Sequence, residues 1–193
     1  MKPGRRALGI AESYRGRDAD PKSTLAGAVV RADRVVDDFV LSTCSVGGLD
    51  ATDAVIGAWN RLDRPDIRYL FVAGIAPAWY NLIDVAAIAD AIDRPVFSIS
   101  FEESDGLETG IADAFKGVGR DRRLRRYREL PERRRIDIGD ESLFVRSVGV
   151  DPETAATVVD AYTYDRRPEP LRVAKRLARR VDTARRDGAI TFE

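Results

Sequence analysis

Three extended, apolar-rich runs at hairpin spacing, Ala7 to Ala11, Leu25 to Ala32 and Arg34 to Cys44, give way at Asp50 to segments that alternate between helical and extended periodicity. That change of pattern constrains the fold more than any other feature of the chain. Strands joined by short turns pair antiparallel, whereas strands separated by helices pair in parallel. Apolar residues at Ala51, Ala54, Val55, Ala58, Trp59 and Leu62 predict a helix over Asp50 to Leu62, capped by Asp50 or Thr52. A strand at Arg68 to Ala73, a helix from about Asp84 to Ile92, a strand at Pro95 to Ser100 and a helix from about Gly106 to Phe115 follow.

The tail is read from turn and cap signals. Arg135 to Ile138 and Leu143 to Val148 form a small hairpin around Gly139-Asp140. Asp151-Pro152 opens a helix running to about Tyr162, and Pro168-Glu169-Pro170 opens a last helix with Leu171, Ala174, Leu177, Ala178 and Val181 on its apolar face. The whole order predicts an α/β fold of ribonuclease H-like type, a mixed sheet with an antiparallel three-strand meander followed by βαβ units and flanking helices. With no repeat and no linker, residues 1–193 are expected to form a single domain.

Composition removes several chemistries. The 193 residues include no histidine, which excludes imidazole bases, Ser-His-Asp and Cys-His nucleophiles, and most zinc sites. Cys44 is the single cysteine and reads as core, so acid–base or metal chemistry falls to carboxylates. No apolar run approaches membrane-spanning length, and the basic Met1 to Arg6 segment precedes too short an apolar stretch for a signal peptide, so the expected location is the cytoplasm, with no membrane partner. The formal net charge is zero, yet nine of the sixteen residues from Arg120 to Arg135 are arginine. Arg120, Arg122, Arg123, Arg125 and Arg126 begin this block, which reads either as a solvated helix face or as a surface for a polyanion, the latter being favoured.

Ligands in open α/β sheets bind beyond the carboxyl ends of the strands. The apolar run Tyr69 to Ala73 breaks at Gly74 and leads through Trp79-Tyr80-Asn81 to Asp84, which reads either as a site residue or as a helix cap. Glu12 closes the first strand. Glu12 and Asp84 are therefore candidate metal ligands, with Asp50 or Asp53 completing the site and Asn81 orienting substrate or a metal-bound water; each acid alone is equally a cap or surface residue. Glu102 and Glu103, after the Pro95 to Ser100 strand, rank behind them. Trp79 and Tyr80 either stack on an exposed base or pack against the sheet.

Gly9-Ile10 with an acid close behind, Gly48-Leu49-Asp50-Ala51-Thr52-Asp53, Gly74-Ile75 through Tyr80-Asn81 to Asp84, and Pro168-Glu169-Pro170-Leu171-Arg172-Val173-Ala174 together resemble an archaeal family related to endonuclease V and described as endonuclease dU. The resemblance covers essentially the whole chain, and its most specific part is the Pro-Glu-Pro-Leu-Arg segment. It implies a ribonuclease H-like endonuclease, dependent on magnesium or manganese, that cuts DNA, or RNA, at or near a deaminated base, deoxyuridine above all, in DNA repair. Glu169 and Arg172 carry over from it, Arg172 either as a nucleic-acid contact or as an anchor of its own helix. The chain departs from the endonuclease V pattern at Ala11 and Ala73, where those proteins carry aspartate. It also lacks their histidine and lysine and the Pro-Tyr-Ile-Pro wedge.

These departures motivate a second expectation, a noncatalytic nucleic-acid or protein-binding module with a degenerate metal site. A third, an enzyme acting on a small phosphorylated metabolite through the Gly47-Gly48 turn, is weaker because no glycine-rich fingerprint follows a strand.

Overall fold

The computed structural model describes residues 2–191; Met1 and the last two residues, which the single-domain expectation takes in, lie outside the described residues. Seven strands form one sheet in the order β3-β2-β1-β4-β5-β7-β6. The meander is β1 (Arg6–Ser13), β2 (Lys22–Arg31) and β3 (Val36–Ser45), each antiparallel to the next. Helix α1 (Ala51–Leu62) crosses over to β4 (Ile67–Ala73), which lies parallel to β1. After the single turn α2 (Pro77–Tyr80), helix α3 (Val85–Ile92) leads to β5 (Val96–Ser100), parallel to β4. The chain is thus a mixed α/β fold, and β1, β4 and β5 all end on the same side of the molecule.

Helices α4 (Glu108–Ala114) and α5 (Gly117–Arg128) precede the hairpin β6 (Arg134–Ile138) and β7 (Glu141–Val148). This hairpin is not a free-standing appendage, because β7 pairs antiparallel with β5 and extends the sheet. Edge strands with unpaired amides seek a partner, and the alternation of Leu143 and Val145 gives β7 a buried face with which to dock. Helices α6 (Pro152–Tyr162) and α7 (Glu169–Arg186) complete the chain.

Strand alternation sorts the core into two layers. Leu8, Ile10, Leu70 and Val72 face α1 and α3, while Ala7, Tyr69, Phe71 and Phe97 face α6 and the start of α7. Gly9 sets the depth of α7. A Cβ at Gly9 would lie 2.3 Å from the backbone carbon of Pro170, so only glycine lets the helix approach β1 this closely.

Candidate active site at the carboxyl end of the sheet

Glu12 sits at the end of β1 on the α1/α3 face, the same face as Ile10. Its Oε2 accepts hydrogen bonds from the Ser23 hydroxyl at 3.0 Å and from the Ala78 amide at 2.8 Å. Burial pushes the Glu12 carboxyl above its usual range, opposed by these two donors and by the nearby Lys175. Lys175 reaches from α7 to donate to the Glu12 carbonyl at 2.7 Å, and its own ammonium is lowered by burial, which Glu12 opposes.

The Ala78 donor is placed by an unusual backbone. Ala78, Trp79 and Tyr80 have φ of 48°, 57° and 58°, so three consecutive non-glycine residues occupy the left-handed region. Such residues are disfavoured by contact between Cβ and the following carbonyl. Packing holds the turn: Trp79 lies 4.7 Å from Phe115 between ring centroids, the Asn81 amide donates to the Pro77 carbonyl, and the Gly47 amide to the Ala78 carbonyl. Trp79 and Tyr80 therefore pack against Phe115, and Arg17 stands over the Trp79 ring.

The other sequence candidates have structural duties. Asn81 is fully buried, contrary to a role in orienting substrate; its amide donates to the Ser45 carbonyl and to Asp50 Oδ1, and its Oδ1 accepts from the Ala51 amide. Asp50 accepts from the Ser45 amide and hydroxyl as well. Burial acts to raise the Asp50 carboxyl, but the hydrogen bonds from Asn81 and Ser45 outweigh it and hold the group below its usual range. Asp50 and Asn81 thus latch the β3–α1 junction to the segment after β4. Asp53 is exposed in the first turn of α1, where a negative charge favours the helix dipole. Asp84 caps α3, with Oδ1 accepting from the Ala86 and Ala87 amides. Among the described residues no three Asp, Glu, Cys or His side chains converge as a metal cluster. Cys44 is core, as its pattern indicates, and burial pushes its thiol up to about 12.

The arginines divide in the same way. Arg123 is 4% exposed and is no nucleic-acid contact. Its guanidinium carbon stands 3.8 Å from the Phe115 ring centroid, and it donates to the carbonyls of Tyr80, Gly119, Gly47 and Gly48, clamping α5 onto the left-handed turn. Arg126 leans toward the Leu82 carbonyl, Arg120 pairs with Asp121, and Arg122 and Arg125 are exposed. Arg172 pairs with Glu169 within its own helix, Nε to Oε2 at 2.7 Å.

A cleft of about 450 Å³ opens where β1, β4 and β5 end, lined by Glu12, Gly74, Ser100, Glu102, Arg167 and Lys175. The sequence reading missed Lys175 and Arg167. Lys175 had a signal: it stands one turn beyond Leu171 on the packed side of α7, an unusual position for one of only four lysines. Arg167, held over Phe101 at 4.3 Å, had none. Ala11 and Ala73, the positions of the expected aspartates, lie together in an apolar cluster with Ala28, Val30 and Ala174, on the opposite face from the Glu12 carboxylate.

The strand order, with its parallel centre and antiparallel flanks, defines a ribonuclease H-like fold. Endonuclease V from Bacillus subtilis superimposes with a TM-score of 0.64 at 14% identity, covering 97% of this chain and 87% of that one. Endonuclease V from Ciona intestinalis, in complex with DNA containing an inosine, gives 0.60 at 13% identity over 93% and 86% of the two chains. A protein from Archaeoglobus fulgidus gives 0.78 at 26% identity over 91% and 97%. The endonuclease dU family model matches residues 3–182, and the chain belongs to that family. UPF0215 proteins from Pyrobaculum calidifontis and Methanopyrus kandleri are similar at 33% and 30% identity, covering 89% and 92% of this chain and 93% and 91% of theirs. Among the described residues no helix is long and apolar enough to cross a membrane.

Proposed function

We propose that this protein is an endonuclease acting on DNA that contains a deaminated base, deoxyuridine in the first place, and that Glu12 is its central chemical group. The observation that carries this reading is a partly buried, hydrogen-bonded Glu12 whose own carbonyl accepts from Lys175, in a cleft that Arg167 also lines, at the strand ends where such folds do their chemistry. Glu12, with its raised pKa, accepts the proton of a water that attacks phosphorus. Lys175 and Arg167 offset the charge that grows on the phosphate oxygens as the bond to the leaving sugar oxygen breaks. The exposed Arg122 and Arg125 attract the backbone from outside the cleft.

The cleft fits a divalent cation in one form. Its two carboxylates, Glu12 and Glu102, suit magnesium or manganese, which keep several waters and take substrate phosphate oxygens beside one or two protein ligands. When bound, such an ion neutralises phosphate charge and makes a water more acidic. End-labelled oligonucleotides carrying uracil, hypoxanthine or neither, incubated with either metal, test the reading. Cutting confined to the modified base, lost in Glu12→Gln and kept in Asp84→Ala, is the expected result, and cutting unchanged in Glu12→Gln removes Glu12 from the chemistry.

A second reading is favoured by one observation, the methyl groups of Ala11 and Ala73 where carboxylates are expected. In it the chain is a noncatalytic nucleic-acid module with a degenerate metal site. Binding of these oligonucleotides without cutting under every metal condition would establish that reading instead.

A further inference from the structure

A second cavity, of about 620 Å³, adjoins the Glu12 cleft and shares Gly74, Ser100 and Glu102 with it. Its volume falls within the roughly 300–1,000 Å³ of ordinary ligand sites. Three arginines line it: Arg135 pairs with Asp137, whereas among the described residues neither Arg133 nor Arg146 makes an ion pair. Arg133 lies over Phe144 at 4.2 Å and donates to Ser100 Oγ and to the carbonyls of Glu102 and Ser104. Arg146 donates to the Pro131 carbonyl and stands 5.7 Å from the Tyr127 ring. Backbone carbonyls and ring faces thus fix the orientation of both cations without cancelling their charge. The acids at the mouth, Glu102, Glu103 and Asp105, are exposed on the loop after β5, whereas both arginines are partly buried. Burial lowers Arg146, opposed by Tyr127 and assisted by the charge of Arg133.

Two oriented guanidiniums that make no ion pair in a concave site are placed to take an anion, and a guanidinium presents paired donors that match phosphate oxygens. We infer that the Arg133–Arg146 cavity is a phosphate-binding subsite that holds a backbone phosphodiester of the strand whose adjacent segment lies at Glu12. The inference rests on the nucleic-acid reading for the source of that phosphate, while the cavity's own chemistry requires only a phosphate group. Arg133 and Arg146 are positioning residues here. They fix the strand's register on the sheet end, and the proton chemistry stays with Glu12.

The test compares wild type, Arg146→Gln, Arg146→Lys and the Arg133→Gln/Arg146→Gln double variant. Anisotropy of a labelled single-stranded oligonucleotide containing deoxyuridine is read across a salt series, with melting temperature as the folding check. The double variant should lose about tenfold or more in affinity at 0.1 M salt and flatten the salt slope by about 1.4, two contacts at roughly 0.7 each for a single strand. Arg146→Lys should keep the slope that Arg146→Gln loses. An unchanged slope and affinity in a folded double variant would overturn the inference while leaving the nuclease reading intact. If the wild type binds no oligonucleotide at all, the nuclease reading fails, and pyrophosphate then reports on the cavity alone. A rise in melting temperature with pyrophosphate in the wild type and not in the double variant supports the subsite, and no rise in either overturns it.

Discussion

The side-chain amide of Asn81 donates to Asp50 Oδ1 at 2.6 Å and so ties the segment after β4 to the start of α1, two stretches separated by a whole crossover. The bond makes Asn81 an organiser of the sheet end rather than a group available to substrate. Replacing it with alanine leaves the buried Ala51 amide, the Ser45 carbonyl and the half-exposed Asp50 each short of a partner. Asn81→Ala should cost about 3 kcal/mol, the scale of one or two unmet buried polar groups. Urea unfolding checks this, and a loss under 0.5 kcal/mol would show that water replaces the latch.

Glu12 and Asp50 shift in opposite directions, and their pH signatures follow. The Glu12 carboxyl is raised by folding, so its contribution to stability is full below the ordinary carboxylate range and is lost as pH rises through the raised value. The Asp50 carboxyl is lowered, so its contribution is present above the ordinary range and is lost as pH falls through the lowered value. Glu12→Gln should remove the decline on the alkaline side of the carboxylate range, and Asp50→Asn should remove part of the acid-side decline. Melting temperatures from pH 3 to pH 8 separate the two, and identical profiles for both variants would contradict the assigned directions.

Arg123 and the pair Arg122/Arg125 lie on one helix with different duties. Arg123→Ala should destabilise the protein by about 2–4 kcal/mol through lost packing on Phe115 and four orphaned carbonyls, without changing how nucleic-acid binding by the folded protein responds to salt. Arg122→Gln/Arg125→Gln should do the reverse, leaving stability within about 0.5 kcal/mol and weakening binding. A flat salt response in the wild type would remove nucleic acid from the account altogether.

Gly9→Ala should be severely destabilising, at about 3 kcal/mol or more, because the added methyl meets the backbone of Pro170 and not a movable side chain. Protein that still folds should hold α7 farther from β1, with Lys175 drawn back from the Glu12 carbonyl. Thermal unfolding provides the check, and a wild-type melting temperature would mean that α7 shifts at little cost.

What could be read from sequence was local. Asp84 and Asp151 announced their helices because a cap is decided within three residues, and the order of Leu25, Leu41, Val55, Leu70 and Phe97 in alternating or helical spacing fixed the layers. The Glu12 register was readable only as far as its strand; its face depended on the partner Ser23, supplied by β2. Lys175 and Arg167 reach the same cleft from beyond position 160, and nothing near them in the chain names Glu12 as their neighbour. The arginine block shows the limit from the other side. Arg122 and Arg123 are adjacent and chemically identical in sequence, yet one faces water and the other is enclosed by Phe115 and four carbonyls.

The left-handed turn at Ala78 has one more consequence. Because its amide proton is directed at the Glu12 carboxylate, the resonance of that single proton should move as Glu12 gains or loses charge, and the slowing of its exchange with deuterium should follow the same titration. The backbone therefore carries its own spectroscopic gauge of the acid to which the proposed chemistry is assigned, legible without any substrate, metal or label.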